Sequence, residues 1–462
     1  MCTVIEGGGQ RMQRRSTRLL DFRGWHVQAR GHRAHGPGAV SIRRLGSWGL
    51  RGICIALLAL TARTAAATTV DGRISASAYA YEASPTDSTD SAHLRTYTAI
   101  RLKISDLGDR RLSLNTYLRA TTDLRDRAGD DPALRPVSTY LRFKDDAVDL
   151  RVGRQYVYAG VGYGQVDGLR ADVRHAGFRL TLHGGALVPA YGEPGVGSLS
   201  DAHLWGLRLS TSRFAGVDLA VSYADRARDP LAYDSAGIYS GFIGQPDAAR
   251  RQLAGVEVRR RFGAHNLRGR LDFDMQRSIL HRAEVGARIA LKPTLAVSVD
   301  WLRREPSLFS SSILSVFAAE GFDEVTLRLH YRIRDDLTLS AHTATVLYDT
   351  EDSQRLGVSA SFGRHLTIGY NRSQGYAGVN DGLNGSMLVP LSTKLMLRGQ
   401  LGLASYERIA NDDREGLLSG VAALTYRASR QLSIDGQLQA LRNPTYNSDL
   451  RLLLRASWRF RS

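Results

Sequence analysis

From Val70 to the C-terminus, apolar and polar side chains alternate with a period of two. In the last segment Leu452, Leu454, Ala456, Trp458 and Phe460 share one face. Arg451, Arg455, Ser457, Arg459 and Arg461 share the other. The same alternation sets Leu94, Thr96, Thr98, Ile100, Leu102 and Ile104 against Arg95, Tyr97, Arg101 and Lys103. It recurs in Val325, Leu327, Leu329, Tyr331 and Ile333, and in Leu267, Leu271 and Phe273 against Arg268, Arg270, Asp272 and Asp274. Successive side chains of a strand point to opposite faces, so this period predicts β-strands with one apolar face. Helix-period segments of useful length are absent.

Two kinds of connection alternate between these segments. Short turns fall at 106–109, 144–146, 175–177, 213–216, 262–265, 291–294, 334–336 and 362–365. Longer polar links are expected at 83–92, 124–136, 158–165, 187–201, 227–249, 306–321 and 372–381. A soluble sandwich has no reason to alternate the two. A transmembrane β-barrel has tight turns on its periplasmic rim and longer loops on the extracellular one. The predicted fold is therefore all-β: an antiparallel up-and-down transmembrane β-barrel of about 22 strands, within a range of roughly 18–22. The opposite, often charged face argues against a packed sandwich core, because buried unpaired charge is too costly. A closed barrel also satisfies every backbone hydrogen bond in lipid.

Composition sharpens the picture. The chain has 462 residues, 46 Gly, 12 Pro and two Cys, and a formal net charge of +17. Two cysteines exclude a disulfide scaffold or a Cys-rich zinc module. The only notable apolar run, Ile53 to Leu60, is too short to cross a bilayer as a helix. More than half of the net charge lies in residues 1–67, which hold 11 Arg, no Lys and two acids, Glu6 and Asp21. Both cysteines, Cys2 and Cys54, lie there too, so the body is cysteine-free, as suits an oxidising compartment. Arg43, Arg44 and Arg51, the apolar run and Ala65-Ala66-Ala67 form the three parts of a secretory signal, with cleavage expected before Thr68. The expected organisation is a basic unstructured extension at 1–39 from a start assigned too far upstream, a signal peptide at 40–67 and the barrel at 68–462.

One local motif stands apart. Val148-Asp149-Leu150-Arg151-Val152-Gly153-Arg154-Gln155 precedes Tyr156-Val157-Tyr158-Ala159-Gly160, and Val166-Asp167-Gly168-Leu169-Arg170 opens the next strand. This pair resembles the strand pair of the alginate-export-type family of outer-membrane porins, with Val166 where that family carries an aromatic. The resemblance implies an 18-stranded passive channel with an Arg-lined constriction for acidic polysaccharide. Read from the residues alone, the glycine marks a bulge at the strand rim, where the strand can bend and loop back over the lumen. The last strand also resembles the assembly signal of outer-membrane proteins, with Phe460 as its aromatic and Arg461 and Ser462 following.

The polar face supplies the candidate chemistry. Arg95, Arg101, Lys103, Arg170, Arg268, Arg270, Arg328, Arg332, Arg451, Arg455 and Arg459 are the expected pore-lining, solute-binding residues. Arginine stays charged and its planar fork grips carboxylate or phosphate in a bidentate way. Strands at the two ends of the chain meet when a barrel closes, so Arg95, Arg101, Lys103, Arg451, Arg455 and Arg459 should form one basic stripe with few acids to cancel it. The competing role for these residues is bracing, through Arg–Asp ladders across strands. No metal-binding motif, P-loop or nucleophile elbow is present, so no catalytic residue, cofactor or metal is expected and the chain reads as a non-enzyme. No segment ahead of the first strand has the pattern of a globular plug. The expected function is an outer-membrane porin or export channel passing small or anionic solutes; a structural or adhesion barrel with a closed lumen is the alternative. Expected partners are outer-membrane lipid and lipopolysaccharide, the barrel-assembly machinery and anionic solutes or acidic polysaccharide, with no nucleic acid.

Overall fold

The computed structural model describes residues 68–83, 91–125, 134–189, 195–214, 216–228, 250–306, 320–375, 378–407, 413–444 and 449–462. The expected extension and signal peptide lie outside these residues. The described elements are β-strands: β1 (Thr69–Ala83), β2 (Ser91–Ser105), β3 (Leu112–Asp123), β4 (Arg135–Lys144), β5 (Val148–Ala159), β6 (Gly162–His175) and β7 (Phe178–Leu187). They continue as β8 (Ala202–Phe214), β9 (Val217–Arg228), β10 (Arg250–Phe262), β11 (His265–Asp274), β12 (Ile279–Lys292), β13 (Leu295–Arg304), β14 (Phe322–Arg334) and β15 (Leu337–Tyr348). The remainder are β16 (Asp352–Phe362), β17 (Leu366–Gly375), β18 (Asn380–Pro390), β19 (Leu395–Tyr406), β20 (Glu415–Arg427), β21 (Leu432–Arg442) and β22 (Asp449–Arg461).

Each strand pairs antiparallel with its chain neighbours, and β1 pairs with β22 in the register Asp71↔Arg461 through Ala80↔Leu452. The sheet is thus a closed 22-stranded barrel. The count agrees with the periodicity and departs from the 18 strands that the family resemblance implies. Strands spaced about 4.8 Å apart and tilted about 40° would give 22 of them a backbone diameter of roughly 44 Å. A 12-residue strand such as β3 or β19 then rises roughly 30 Å along the barrel axis, enough for an apolar band about 25 Å tall.

Cross-strand register assigns the faces, because residues paired across a ladder share a side. Val299 pairs Leu327, Leu209 pairs Val221 and Leu403 pairs Leu418, and all are exposed on the apolar side. Tyr331, Tyr426 and Trp458 belong to this side near the short-turn rim, and Trp205 and Trp301 near the other, which gives two aromatic girdles. The polar side is the concave one. Its ion pairs skip strands, as Arg208 of β8 does to Glu257 of β10 at 3.0 Å and Arg268 of β11 does to Asp300 of β13 at 2.8 Å.

The expected link at 158–165 is instead a strand hairpin. β5 runs through Ala159, Gly160 and Val161 turn, and β6 starts at Gly162. Its pairing continues to Ala159↔Gly162, but β4 accompanies β5 only as far as Arg154, and β7 accompanies β6 only from Val166. Beyond those points the hairpin has left the wall and folded inward. Val161 N–H donates to Ser222 Oγ at 3.2 Å, and Val157, Ala159, Val161 and Val166 pack on Leu187, Leu204, Ala224 and Leu253 of the inner wall. Burying Val or Leu side chains like these contributes about 1.5–3 kcal/mol each.

The bend lies on a row of glycines, Gly153↔Gly168↔Gly185, in register across β5, β6 and β7. Gly153 has φ +123°, a conformation that side chains resist. At Gly168 a Cβ would lie 2.0 Å from Gly184 O, and at Gly185 it would lie 2.4 Å from Asp167 O. Only glycine lets these backbones close up enough to fold the ribbon over. The bend foreseen at the glycine motif is present, and it swings a whole hairpin rather than a loop.

Candidate functional site: the lumenal wall and its inward hairpin

The sequence motif is the root of the hairpin. Gly153, Arg154 and Gln155 face Gly168, Asp167 and Val166 in register. Arg154 is buried and donates through Nε and Nη2 to the two Asp167 oxygens at 2.8 and 2.7 Å. Its Nη2 also donates to Gly195 O at 2.6 Å, and its Nη1 to Pro136 O at 3.4 Å. Gln165 Nε2 donates to Val137 O at 2.5 Å and Arg135 Nη2 to Pro189 O at 3.0 Å. These bonds stitch β4 to the segment after β7, across the gap that the departing hairpin leaves. The bidentate Arg–carboxylate fork fixes the root in one orientation.

The fold reverses what the alternation alone would say of three tyrosines. Tyr156, Tyr158 and Tyr163 continue the face that carries Val152 and Leu169 to lipid. Because the other face of the hairpin lies on the inner wall, these rings look into the lumen, 66%, 76% and 49% exposed. Arg226 sits over Tyr163 with Cζ 5.6 Å from the ring centroid, and Tyr158 is within electrostatic reach of Arg270. Sequence reasoning placed 158–165 in a polar link and missed this lining.

All the predicted lining residues lie on the lumenal side of the ladders, at Arg95, Arg101 and Lys103 of β2, Arg170 of β6, Arg268 and Arg270 of β11, Arg328 and Arg332 of β14, and Arg451, Arg455 and Arg459 of β22. The structure divides them. Arg170 binds Asp172 at 2.9 Å, Arg268 binds Asp300 and Glu284, Arg270 binds Asp272 at 2.9 Å, and Arg328 binds Asp300. Arg451 binds Asp449 at 2.5 Å, Arg455 binds Asp435 at 3.2 Å, and Arg95 is 3.9 Å from Asp123. The expected stripe is therefore partly cancelled: its acids sit on β3, on β21 and two residues along β22 itself, where counting the two strands alone undervalued them. These groups brace the wall.

Arg101, Lys103, Arg332 and Arg459 make no ion pair among the described residues, and neither does Arg73, which sequence reasoning passed over. Arg73 is in register with Arg101 on one side and Arg459 on the other, so three guanidinium groups stand in a row across β22, β1 and β2. The row continues into aromatic contacts: Arg101 Cζ lies 4.4 Å from the Tyr117 ring centroid, and Arg119 Cζ lies 4.9 Å from that of Tyr97. Among the described residues Arg73 has one neutral side-chain partner, Ser457 Oγ, 3.1 Å from its Nη2. Directly opposed like charges destabilise a sheet; Asp71 stands in register with Lys103 and Arg461 at one end of the seam, so the net positive charge facing the lumen rests on the row Arg459, Arg73 and Arg101. The alternation Arg73, Ser75, Ser77 against Ile74, Ala76, Ala78 was the signal that could have revealed it.

Among the described residues no cluster of His, Cys, Asp and Glu is arranged to hold a metal ion. His330 Nδ1 pairs with Ser340 Oγ at 2.9 Å.

No family model and no curated protein matches this chain in sequence. Solved structures match it in fold. A mutant of the ferric enterobactin receptor PfeA from Pseudomonas aeruginosa is 10% identical with a TM-score of 0.53, covering 84% of this chain and 80% of the receptor. The fold is that of the bacterial outer-membrane β-barrels. The siderophore receptor PirA from Pseudomonas aeruginosa is 14% identical with a TM-score of 0.52, over 84% and 80% of the two chains. The outer membrane protein OpdK of the same organism is 10% identical with a TM-score of 0.42, over 86% of this chain and 99% of its own. The resemblance to the alginate-export-type family has no support in these comparisons, and its motif is explained by the hairpin root.

Proposed function

We propose that this protein is a passive channel of the bacterial outer membrane whose lumen favours small anions. The observation that carries the anion preference is the row Arg459–Arg73–Arg101, which makes no ion pair among the described residues. Fixed positive charge in a confined aqueous lumen raises the local anion concentration, and the effect weakens once the Debye length falls to about 10 Å at 0.1 M salt. No covalent chemistry is required; pore width and lining charge do the selecting. The apolar outer face with two aromatic girdles supports the membrane location, with lipid and lipopolysaccharide as the surrounding partners and the barrel-assembly machinery as the inserting one.

Zero-current potentials across planar bilayers in a salt gradient test this. Wild type should prefer chloride over potassium at low salt, and the triple variant Arg73→Ser, Arg101→Ser, Arg459→Ser should lose most of that preference. Arg455→Ser should change it less, because Asp435 already neutralises Arg455. A cation-selective wild type would overturn the anion preference. Absence of conductance would overturn the channel and favour a structural barrel with a closed lumen.

A further inference from the structure

We propose that the outer face of strands β17 to β21 carries a seat for the phosphorylated, acylated glycolipid of the outer leaflet, a lipid A headgroup, which rests on the outer-membrane location proposed above. A recess of about 670 Å³ opens there, lined by Tyr370, Asp381, Leu383, Leu403, Leu418 and Arg442. Register puts them on the lipid side: Tyr370 pairs Leu383, Leu383 pairs Leu403, Leu403 pairs Leu418 and Leu418 pairs Arg442. Asp381 lies two residues along β18 from Leu383 and so shares its face. The three leucines are exposed and form an apolar floor.

Charge is gathered at one edge of that floor. Asp381 is the second residue of β18, Arg442 the last of β21, Arg414 directly precedes β20, and Arg372 pairs Asp381 near the end of β17. All four lie at the long-connection rim, the level of the outer-leaflet headgroups. Asp381 Oδ1 accepts from Tyr370 Oη at 2.6 Å and Oδ2 from Arg414 Nη1 at 3.0 Å, while Arg372 Nη1 lies 3.6 Å from Oδ1. One carboxylate thus holds two guanidinium groups. Arg442 is exposed and makes no ion pair among the described residues. At two other places on the outer face of this rim the balance is one to one: Arg250 meets Asp225 at 2.6 Å, and Arg303 meets Asp323 at 3.5 Å. Surplus guanidinium beside exposed leucines matches a molecule that joins phosphate to acyl chains. The forks take phosphate oxygens in a bidentate way, and the chains cover the leucines; a free phosphate meets only the arginines. Arg442 stands three strand spacings from Asp381, about 14 Å at 4.8 Å each. A single glycerophosphate cannot bridge that span, whereas a disaccharide with a phosphate at each end can.

Native mass spectrometry of the detergent-solubilised barrel, titrated with lipid A, phosphatidylglycerol or inorganic phosphate, tests the seat. Lipid A should bind most tightly, and a large excess of inorganic phosphate should not displace it. Arg372→Gln and Arg442→Gln should each weaken lipid A binding about fivefold, the worth of one arginine at a charged lipid surface. Arg250→Gln, on the same rim and face, should leave it unchanged. Phosphatidylglycerol binding as tightly as lipid A would overturn the seat and leave a general anionic-lipid surface. Displacement by inorganic phosphate would overturn it, as would a loss in Arg250→Gln as large as in Arg442→Gln, or none in Arg372→Gln and Arg442→Gln. Cell fractionation tests the outer-membrane location separately, because binding in detergent does not depend on it. A barrel that conducts but retains no lipid A loses the seat and keeps the channel.

Discussion

Replacing Gly168 with alanine adds one methyl group at the line where the β5–β6 ribbon folds into the lumen. That methyl would stand 2.0 Å from Gly184 O and 2.6 Å from Gly185 Cα. Both obstacles are backbone, so no rotamer can relieve them, and β6 and β7 must separate by about an ångström or more. Overpacking of this kind costs roughly 1–3 kcal/mol, with the upper half expected here, because the separation also strains ladder hydrogen bonds worth about 1 kcal/mol each. Gly420→Ala is the matched control: it lies in mid-strand on β20 with nothing within 4 Å of the added carbon. It should be neutral or stabilise by up to about 1 kcal/mol, since alanine has less unfolded-state entropy to lose. Denaturant unfolding of the detergent-solubilised barrel, followed by tryptophan fluorescence, measures both. Single-channel conductance gives a second readout, because a hairpin forced off the wall changes the lumen cross-section. If Gly168→Ala matches wild type in unfolding midpoint and in conductance, the glycine row is not the fold line. If Gly420→Ala is equally damaging, the sensitivity is to any strand glycine rather than to this one.

Asp167→Leu leaves Arg154 buried without its carboxylate and should destabilise the barrel by about 3–5 kcal/mol in the same unfolding assay; a change below about 1 kcal/mol would mean the pair does not hold the root. Residues 68–462 contain no cysteine, so Tyr158→Cys should react with a membrane-impermeant thiol reagent and reduce channel current, while Val157→Cys, against the wall, should be protected. The reverse pattern would place the hairpin the other way round. Leu327→Arg, on the lipid face, should cost about 2–4 kcal/mol near the bilayer midplane, and Gln400→Arg, facing the lumen, far less; equal costs would contradict the assigned faces. A tag inserted within 229–249 should be labelled on intact cells and one at 335–336 should not, since these connections lie on opposite rims; inverted labelling would exchange the rims.

The strands and their faces were legible in the sequence because they follow from local geometry. A period of two fixes which residues share a side, as in Leu452 through Phe460, and the alternation of short and long connections fixes the up-and-down topology and the approximate strand number. Closure follows because 22 strands with an apolar face toward lipid cannot leave an edge unpaired. The neutralisation of each arginine was not legible, because it depends on register. Asp435 reaches Arg455 and Asp449 reaches Arg451, while Arg73, Arg101 and Arg459 meet one another. Register is set by pairing between strands far apart in the chain, Arg73 and Arg459 among them. The inward hairpin was foreshadowed by its glycines but decided only in three dimensions. Alternation says that Val152, Tyr156 and Tyr158 lie on one side of a ribbon; it cannot say what that side looks at once the ribbon turns over. The turn depends on Gly168 and Gly185 touching across two strands and on Val161 finding Ser222 and Leu253 on the inner wall at β9 and β10. Those are contacts between distant segments, which exist only when the barrel has closed around them.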